Sequence, residues 1–235
     1  CACGLASGQG CGPAAQAAVL LAAAALCWTC WTHTQQTVGW AFAFGGANGG
    51  LVTLCRRASV HVRSTRYQDF EEQGADFLNV ARARGFLTAR VHVRGTDVAL
   101  LNVHTNAFPT VSMRNALPIP SAERRAQLEQ AFGCASRIGC KEAKEAVVVL
   151  GDFNTSPGDG EIPTVKYNFT SALPLDKSTV TLPITPKLLQ VFPETRADMC
   201  ADYQFFRGVS LMSAEVLRTC DLSDHLPVRA TYCPQ

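Results

Sequence analysis

Two β-sheets packed face to face with helices outside them, an α/β (α+β) arrangement, is the fold class this sequence predicts. Three observations predict it. Strand-like segments outnumber helical ones, a well-marked helix interrupts them, and the strands either alternate or run wholly apolar, as faces of packed sheets require. The 235 residues suffice for one large domain, and a hydrophobic fraction of 47% supports a buried core.

The elements follow in chain order. Residues 1 to 13 are rich in Gly, Cys and Ala without periodicity and read as loop. Gln16 to Leu26 has the alanine content of a helix. From Gly45 the texture changes: Gly45 to Gly50 is a turn, and Leu51 to Cys55 a short apolar strand. Val60 and Val62 alternate with polar neighbours and mark a second strand. Leu87, Ala89, Val91 and Val93 alternate with Arg90, His92 and Arg94, the pattern of a half-buried strand. A turn at Gly95-Thr96-Asp97 then leads into Val98 to Val103, completing a hairpin. After Pro120, Ser121 opens a helix through Ala131, rich in Glu, Arg, Gln and Ala. Ala146 to Leu150 is a fully apolar strand, and Asp202 to Phe206 and Pro227 to Tyr232 are the last strands.

Net charge is +2, so no strong basic patch argues for a nucleic-acid binder. The longest apolar run, Ala17 to Trp28, is mostly alanine and too short for a membrane span. Eleven cysteines, an odd number in a chain this long, do not describe a disulfide scaffold, and localisation stays open. Cys27-Trp28-Thr29-Cys30 with His33 lacks the second close pair that a zinc site needs and reads as a chance pair.

Several polar clusters sit where apolar strands end. Each has an ordinary structural use: Asn102-Val103-His104 as a cap and an edge histidine, Gly151-Asp152-Phe153-Asn154 as a turn, Ser223-Asp224-His225 as a cap. Asp202-Tyr203 at a strand start is equally ordinary. Their conjunction points further, because loops at the ends of sandwich strands are where sites are built. A phosphoester needs carboxylate oxygens for a hard cation, donors for its non-bridging oxygens and a group that positions water. Asp152 and Asp224 can hold metal or water, Asn154 and His104 can donate to phosphate, and Asp202 can orient a histidine.

In order, Gly49-Gly50-Leu51, Asn102-x-His104, Gly151-Asp152-Phe153-Asn154, Asp202-Tyr203 and Ser223-Asp224-His225-x-Pro227 resemble the endonuclease/exonuclease/phosphatase superfamily, from roughly Gly45 to Ala230. The resemblance implies a four-layered sandwich of two mixed β-sheets flanked by helices. It also implies hydrolysis of a phosphodiester or phosphomonoester by activated water, with Mg²⁺ (or Mn²⁺) as cofactor. It implies roles as well: His225 contacts the phosphate or acts as base, Asp202 fixes its tautomer, Asp152 with Asn154 handles the water, and His104 stabilises phosphate charge. Asp152 and Asp224 are the implied metal neighbours. The substrate is a phosphoester, whether lipid, inositol phosphate or nucleic acid, and Arg84-Gly85-Phe86-Leu87 leans toward the neutral sphingomyelinase-like branch.

The N-terminal part departs from that pattern. The family has an Asn near its first strand and a metal-binding Glu in a Gln-Glu pair, both upstream of Gly49. Here Gln35-Gln36 is followed by Thr37, and no acid precedes Asp69. Residues 1–44 are therefore read as an atypical segment with its strands incomplete or mis-assembled, and 45–235 as a partial domain of the family. The alternatives are an inactive member that binds a phosphorylated ligand or partner, and a fragment without function.

Overall fold

The computed structural model describes residues 2–5, 19–22, 51–72, 84–106, 121–141, 145–176, 178–185, 198–220 and 223–234. Its strands are β1 (Ala2–Leu5), β2 (Val19–Ala22), β3 (Val60–Asp69), β4 (Gly85–Val93), β5 (Thr96–His104), β6 (Ala146–Asp152), β7 (Thr170–Ser171), β8 (Asp202–Arg207), β9 (Val209–Val216) and β10 (Val228–Pro234). The helices are α1 (Ser121–Lys141) and α2 (Thr164–Tyr167), with a 3₁₀ turn at Pro157–Asp159.

The strands form a six-stranded sheet, β3-β4-β5-β6-β8-β7, and a four-stranded sheet, β2-β1-β10-β9. Both are mixed: β5 pairs β6 in parallel and β1 pairs β10 in parallel, while the other pairs are antiparallel. One face of the larger sheet packs on the smaller one through Val91, Leu100, Val148, Leu150 and Phe206 against Val228, Ala230 and Tyr232. Its other face is covered by α1, where Leu128, Ala131, Phe132 and Ala135 meet Leu101, Val103, Val149 and Phe205. Three layers are thus built by the described residues: helix, large sheet, small sheet.

Sheet alternation explains this double coverage. In β6 the residues Ala146, Val148 and Leu150 face one core, while Val147 and Val149 face the other. A strand buried on both sides must be apolar throughout, as this one is until Asp152.

Several sequence expectations need correction. Ala2–Leu5 is a strand, not loop, and Val19–Ala22 is a strand inside the expected Gln16–Leu26 helix. The two pair with each other and β1 adds to β10, so sheet pairing outweighs alanine's helix propensity. Leu51–Cys55 forms no strand: Leu51 is buried, but Val52 and Leu54 are exposed, and the Val52 carbonyl accepts from the Asn102 side chain instead of a ladder. The hairpin turn is Arg94-Gly95, with φ of 49° and 86°, so β5 already starts at Thr96. Helix α1 runs to Lys141, ten residues beyond the expected end, because Phe132, Ala135 and Ile138 extend its apolar face. Strand β9 was not expected. It follows Gly208, whose φ of 74° turns the chain from the large sheet into the small one.

Candidate active site

Strands β3, β5 and β6 run the same way, so their C-terminal ends share one edge of the large sheet. At that edge the register aligns His104 with Asp152 across β5 and β6, and Asp152 with Asp202 across β6 and β8. All three residues have the parity of Leu100, Leu150 and Phe206, so they continue the face that packs on the small sheet. The apolar row ends and a polar row begins. His225 arrives on the connection between β9 and β10, completing the group from the other sheet.

Asp202 is fully buried, and its Oδ2 accepts from His225 Nδ1 at 2.7 Å. Its Oδ1 has no hydrogen-bond partner among the described residues. The Asp152 Oδ1 accepts from the Asn154 backbone N–H at 2.9 Å, and its Oδ2 lies 3.6 Å from His104 Nε2. Asn154 adopts φ of 47°, a conformation Asn tolerates, and its side-chain amide donates to the Thr105 carbonyl at 3.2 Å. Close approach of the strands also requires Gly151, where φ is 133° and a Cβ would lie 2.0 Å from the Val103 carbonyl oxygen. Donor atoms of Asp152, Asp202 and His225 all lie within 4.8 Å of one another. Asp224 stands outside that trio. It receives the Ser223 hydroxyl at 3.1 Å and adds negative charge beside His225.

Burial shapes the titration of the group. It pushes the Asp152 carboxyl up to about 6, an effect that Asp202 reinforces and the His225 and Arg84 charges oppose. Burial alone would depress the His225 imidazole, but the Asp202 carboxylate, with help from Asp152 and Asp224, outweighs it and pushes His225 up to about 9.

Residues given no site role in the sequence reading complete the arrangement. Arg84 is 8% exposed, and its Nη1 lies 2.6 and 2.5 Å from the two ring nitrogens of His104. Asn102, 1% exposed and one pleat behind His104, has a buried Oδ1 without a hydrogen-bond partner among the described residues. Thr181 ties the two halves: its Oγ1 accepts from the Ala201 and Asp202 N–H groups, and its carbonyl accepts from Leu226 next to His225. Parity along β5 was the available signal for Asn102, and the Arg-Gly that precedes the β4–β5 hairpin marked Arg84 without giving it a site role; Thr181 carries none, because only the fold brings it in.

Known proteins share this architecture. SmcL superposes with a TM-score of 0.56 at 21% identity, over 71% of this chain and 64% of that one. A conserved protein of unknown function from Enterococcus faecalis V583 gives 0.55 at 18%, over 81% and 75%. Truncated Caenorhabditis elegans TDP2 gives 0.53 at 19%, over 78% and 68%. This chain therefore spans under two thirds of SmcL. No curated protein matches its sequence. The sequence profile of the Endonuclease/Exonuclease/phosphatase family matches residues 9–225, most of the chain and every member of the polar row, and the chain belongs to that family.

Proposed function

We propose that the chain hydrolyses phosphodiester or phosphomonoester bonds with a divalent cation, Mg²⁺ or Mn²⁺, by attack of activated water. The family implies metal-dependent phosphoester hydrolysis in general. The observation that carries the finer reading is the row His104–Asp152–Asp202 with His225 closing on it.

The donor set fits a hard cation: two carboxylates converge within 4.8 Å, and one buried carboxylate oxygen, Asp202 Oδ1, lacks a hydrogen bond. Asp152 and Asp202 would hold the ion, with Asp224 near enough to add charge. When bound, it offsets negative charge on the phosphoryl oxygens. The protein groups do the rest. The Asp152 carboxylate, oriented by the Asn154 N–H, accepts the water proton as general base. His225, a cation below about 9, donates from Nε2 to a non-bridging oxygen while Asp202 holds Nδ1–H. Arg84 and His104 supply further donors to the phosphate. The new bond joins water oxygen to phosphorus, its proton passes to Asp152, and the leaving oxygen takes a proton from solvent.

The test is turnover of bis(4-nitrophenyl) phosphate with Mg²⁺. Asp152→Asn and His225→Ala should each lower kcat by about 10²–10⁴-fold, the range for a lost acid or base. Activity unchanged by His225→Ala would sink the reading. A second reading rests on the missing early carboxylate: no Glu precedes Glu71, which leaves a metal shell short of charge. On it, the pocket binds phosphorylated ligands without turnover. Metal-independent binding of inorganic phosphate, with no hydrolysis, would favour this version.

A further inference from the structure

The sheet-facing side of helix α1 carries a polar stripe. Arg124, Gln127 and Gln130 are spaced three apart and so neighbour one another along the helix. Each uses both of its polar ends on a segment that leaves the site edge of the large sheet. Arg124 Nε and Nη2 grip the two carboxylate oxygens of Glu161 at 2.8 Å each, nine residues beyond Asp152. Gln127 accepts from the Asn106 N–H at 2.9 Å, two residues beyond His104, and donates to the Glu72 carbonyl at 2.6 Å. Gln130 accepts from the Glu71 N–H at 2.9 Å and donates to the Asp69 carbonyl at 3.2 Å. Asp69 is the register partner of Gly85, next to Arg84.

This stripe is an expensive way to dock a helix. Arg124 and Glu161 are each 2% exposed, and a buried ion pair is often matched or bettered in stability by well-packed apolar residues. What an apolar face cannot do is tie down the chain as it leaves the sheet ladder: Gln127 and Gln130 bond backbone groups at Asp69, Glu71, Glu72 and Asn106 that have passed beyond it, and Arg124 holds the Glu161 carboxylate. We propose that Arg124, Gln127 and Gln130 are positioning residues that fix the segments leaving β3, β5 and β6 and thereby set Arg84, His104 and Asp152–Asn154 at matched heights along the sheet edge. The functional part of this proposal rests on the hydrolytic reading of the site.

The experiment compares wild type with Gln127→Met and with the apolar pair Arg124→Met/Glu161→Leu. It records kcat and KM on Mg²⁺-activated bis(4-nitrophenyl) phosphate, amide hydrogen exchange and Tm. Expected for each variant is a kcat lower by about 10–100-fold with KM within about twofold, since small misplacement of catalytic groups is felt in turnover. Exchange at Asn106 and Asn154 should quicken about tenfold while that within β6 and the Tm hold. A kcat and loop exchange equal to wild type in both folded variants would overturn the proposal. So would loss of the fold in both, which makes the stripe a stability element. If wild type shows no turnover, the hydrolytic reading fails by itself, and loop exchange still decides whether the stripe positions the loops.

Discussion

Asp202 is the residue on which the site's charge balance turns. It is fully buried, it holds His225 at 2.7 Å, and its carboxylate is the main reason the imidazole titrates up to about 9 although burial opposes that. The sign of the consequence follows from linkage. A histidine whose folded pKa lies above its unfolded value of about 6.5 contributes stability that is complete below that value and is lost as pH rises through the folded pKa. In metal-free protein, Tm is therefore expected to fall between about pH 6.5 and 9, and Asp202→Asn should flatten that fall. Proton NMR of the His225 ring is the direct check: its midpoint should drop by more than one unit in Asp202→Asn. A midpoint that stays put would show that Asp202 does not set the charge. Asp152 has the same sense in a lower window, from the ordinary 3.8 to about 6. Its carboxyl is raised, so ionising it opposes folding, and this contribution develops as pH rises toward about 6.

Elements were legible where a single physical demand dominated their residues. β6 declared itself because burial on both faces forbids polar residues from Ala146 to Leu150, and the Gly-Asp-Phe-Asn that follows breaks the run where the site begins. The second half of α1 was not legible, because Gly133 lowers helix propensity at the place where Phe132 is gripped by Phe153, Phe169 and Phe205 at centroid distances of 5.4 to 6.1 Å. β9 was hidden for another reason: an edge strand with a largely exposed pattern offers little apolar periodicity to read. At this scale the close approach of β5 and β6 gives a clear expectation. Gly151→Ala adds a methyl group 2.0 Å from the Val103 carbonyl oxygen at a φ of 133°, so the strands must part or the turn must rebuild. The cost should be at least about 3 kcal/mol, beyond the range of backbone strain alone. For a chain of this size that is a Tm lower by roughly 6–12 °C in calorimetry. A shift under about 2 °C would mean that the strands separate at little cost.

The whole molecule assembles its site from parts that lie far apart in sequence, which sets what a reader of the sequence can find. His104, Asp152, Asn154, Asp202 and His225 could be picked out because each lies at the end of a strand or within a few residues of one, and the sheet register then places the first, second and fourth in one row. Thr181 could not, since nothing near it in sequence marks it, and the Arg-Gly motif that marks Arg84 gives no hint that strand pairing sets it against His104. The same assembly bears on metal. Two carboxylates held by different strands repel each other in the folded state, with Asp202 helping to raise Asp152, and a cation between them would relieve that strain while leaving the unfolded chain indifferent. Mg²⁺ should therefore stabilise the fold, though weakly, because two carboxylates are a thin shell for a hard ion. With a Kd of about 1 mM, 10 mM Mg²⁺ would add about 1.4 kcal/mol, or roughly 3–6 °C in Tm, and excess chelator would remove it. Asp152→Asn makes the test specific. It removes the repulsion and a ligand together, so the metal-free variant should melt no lower than the metal-free parent while its response to Mg²⁺ disappears. An Mg²⁺ response of equal size in both proteins would place the ion elsewhere on the surface and leave this row of side chains without a metal.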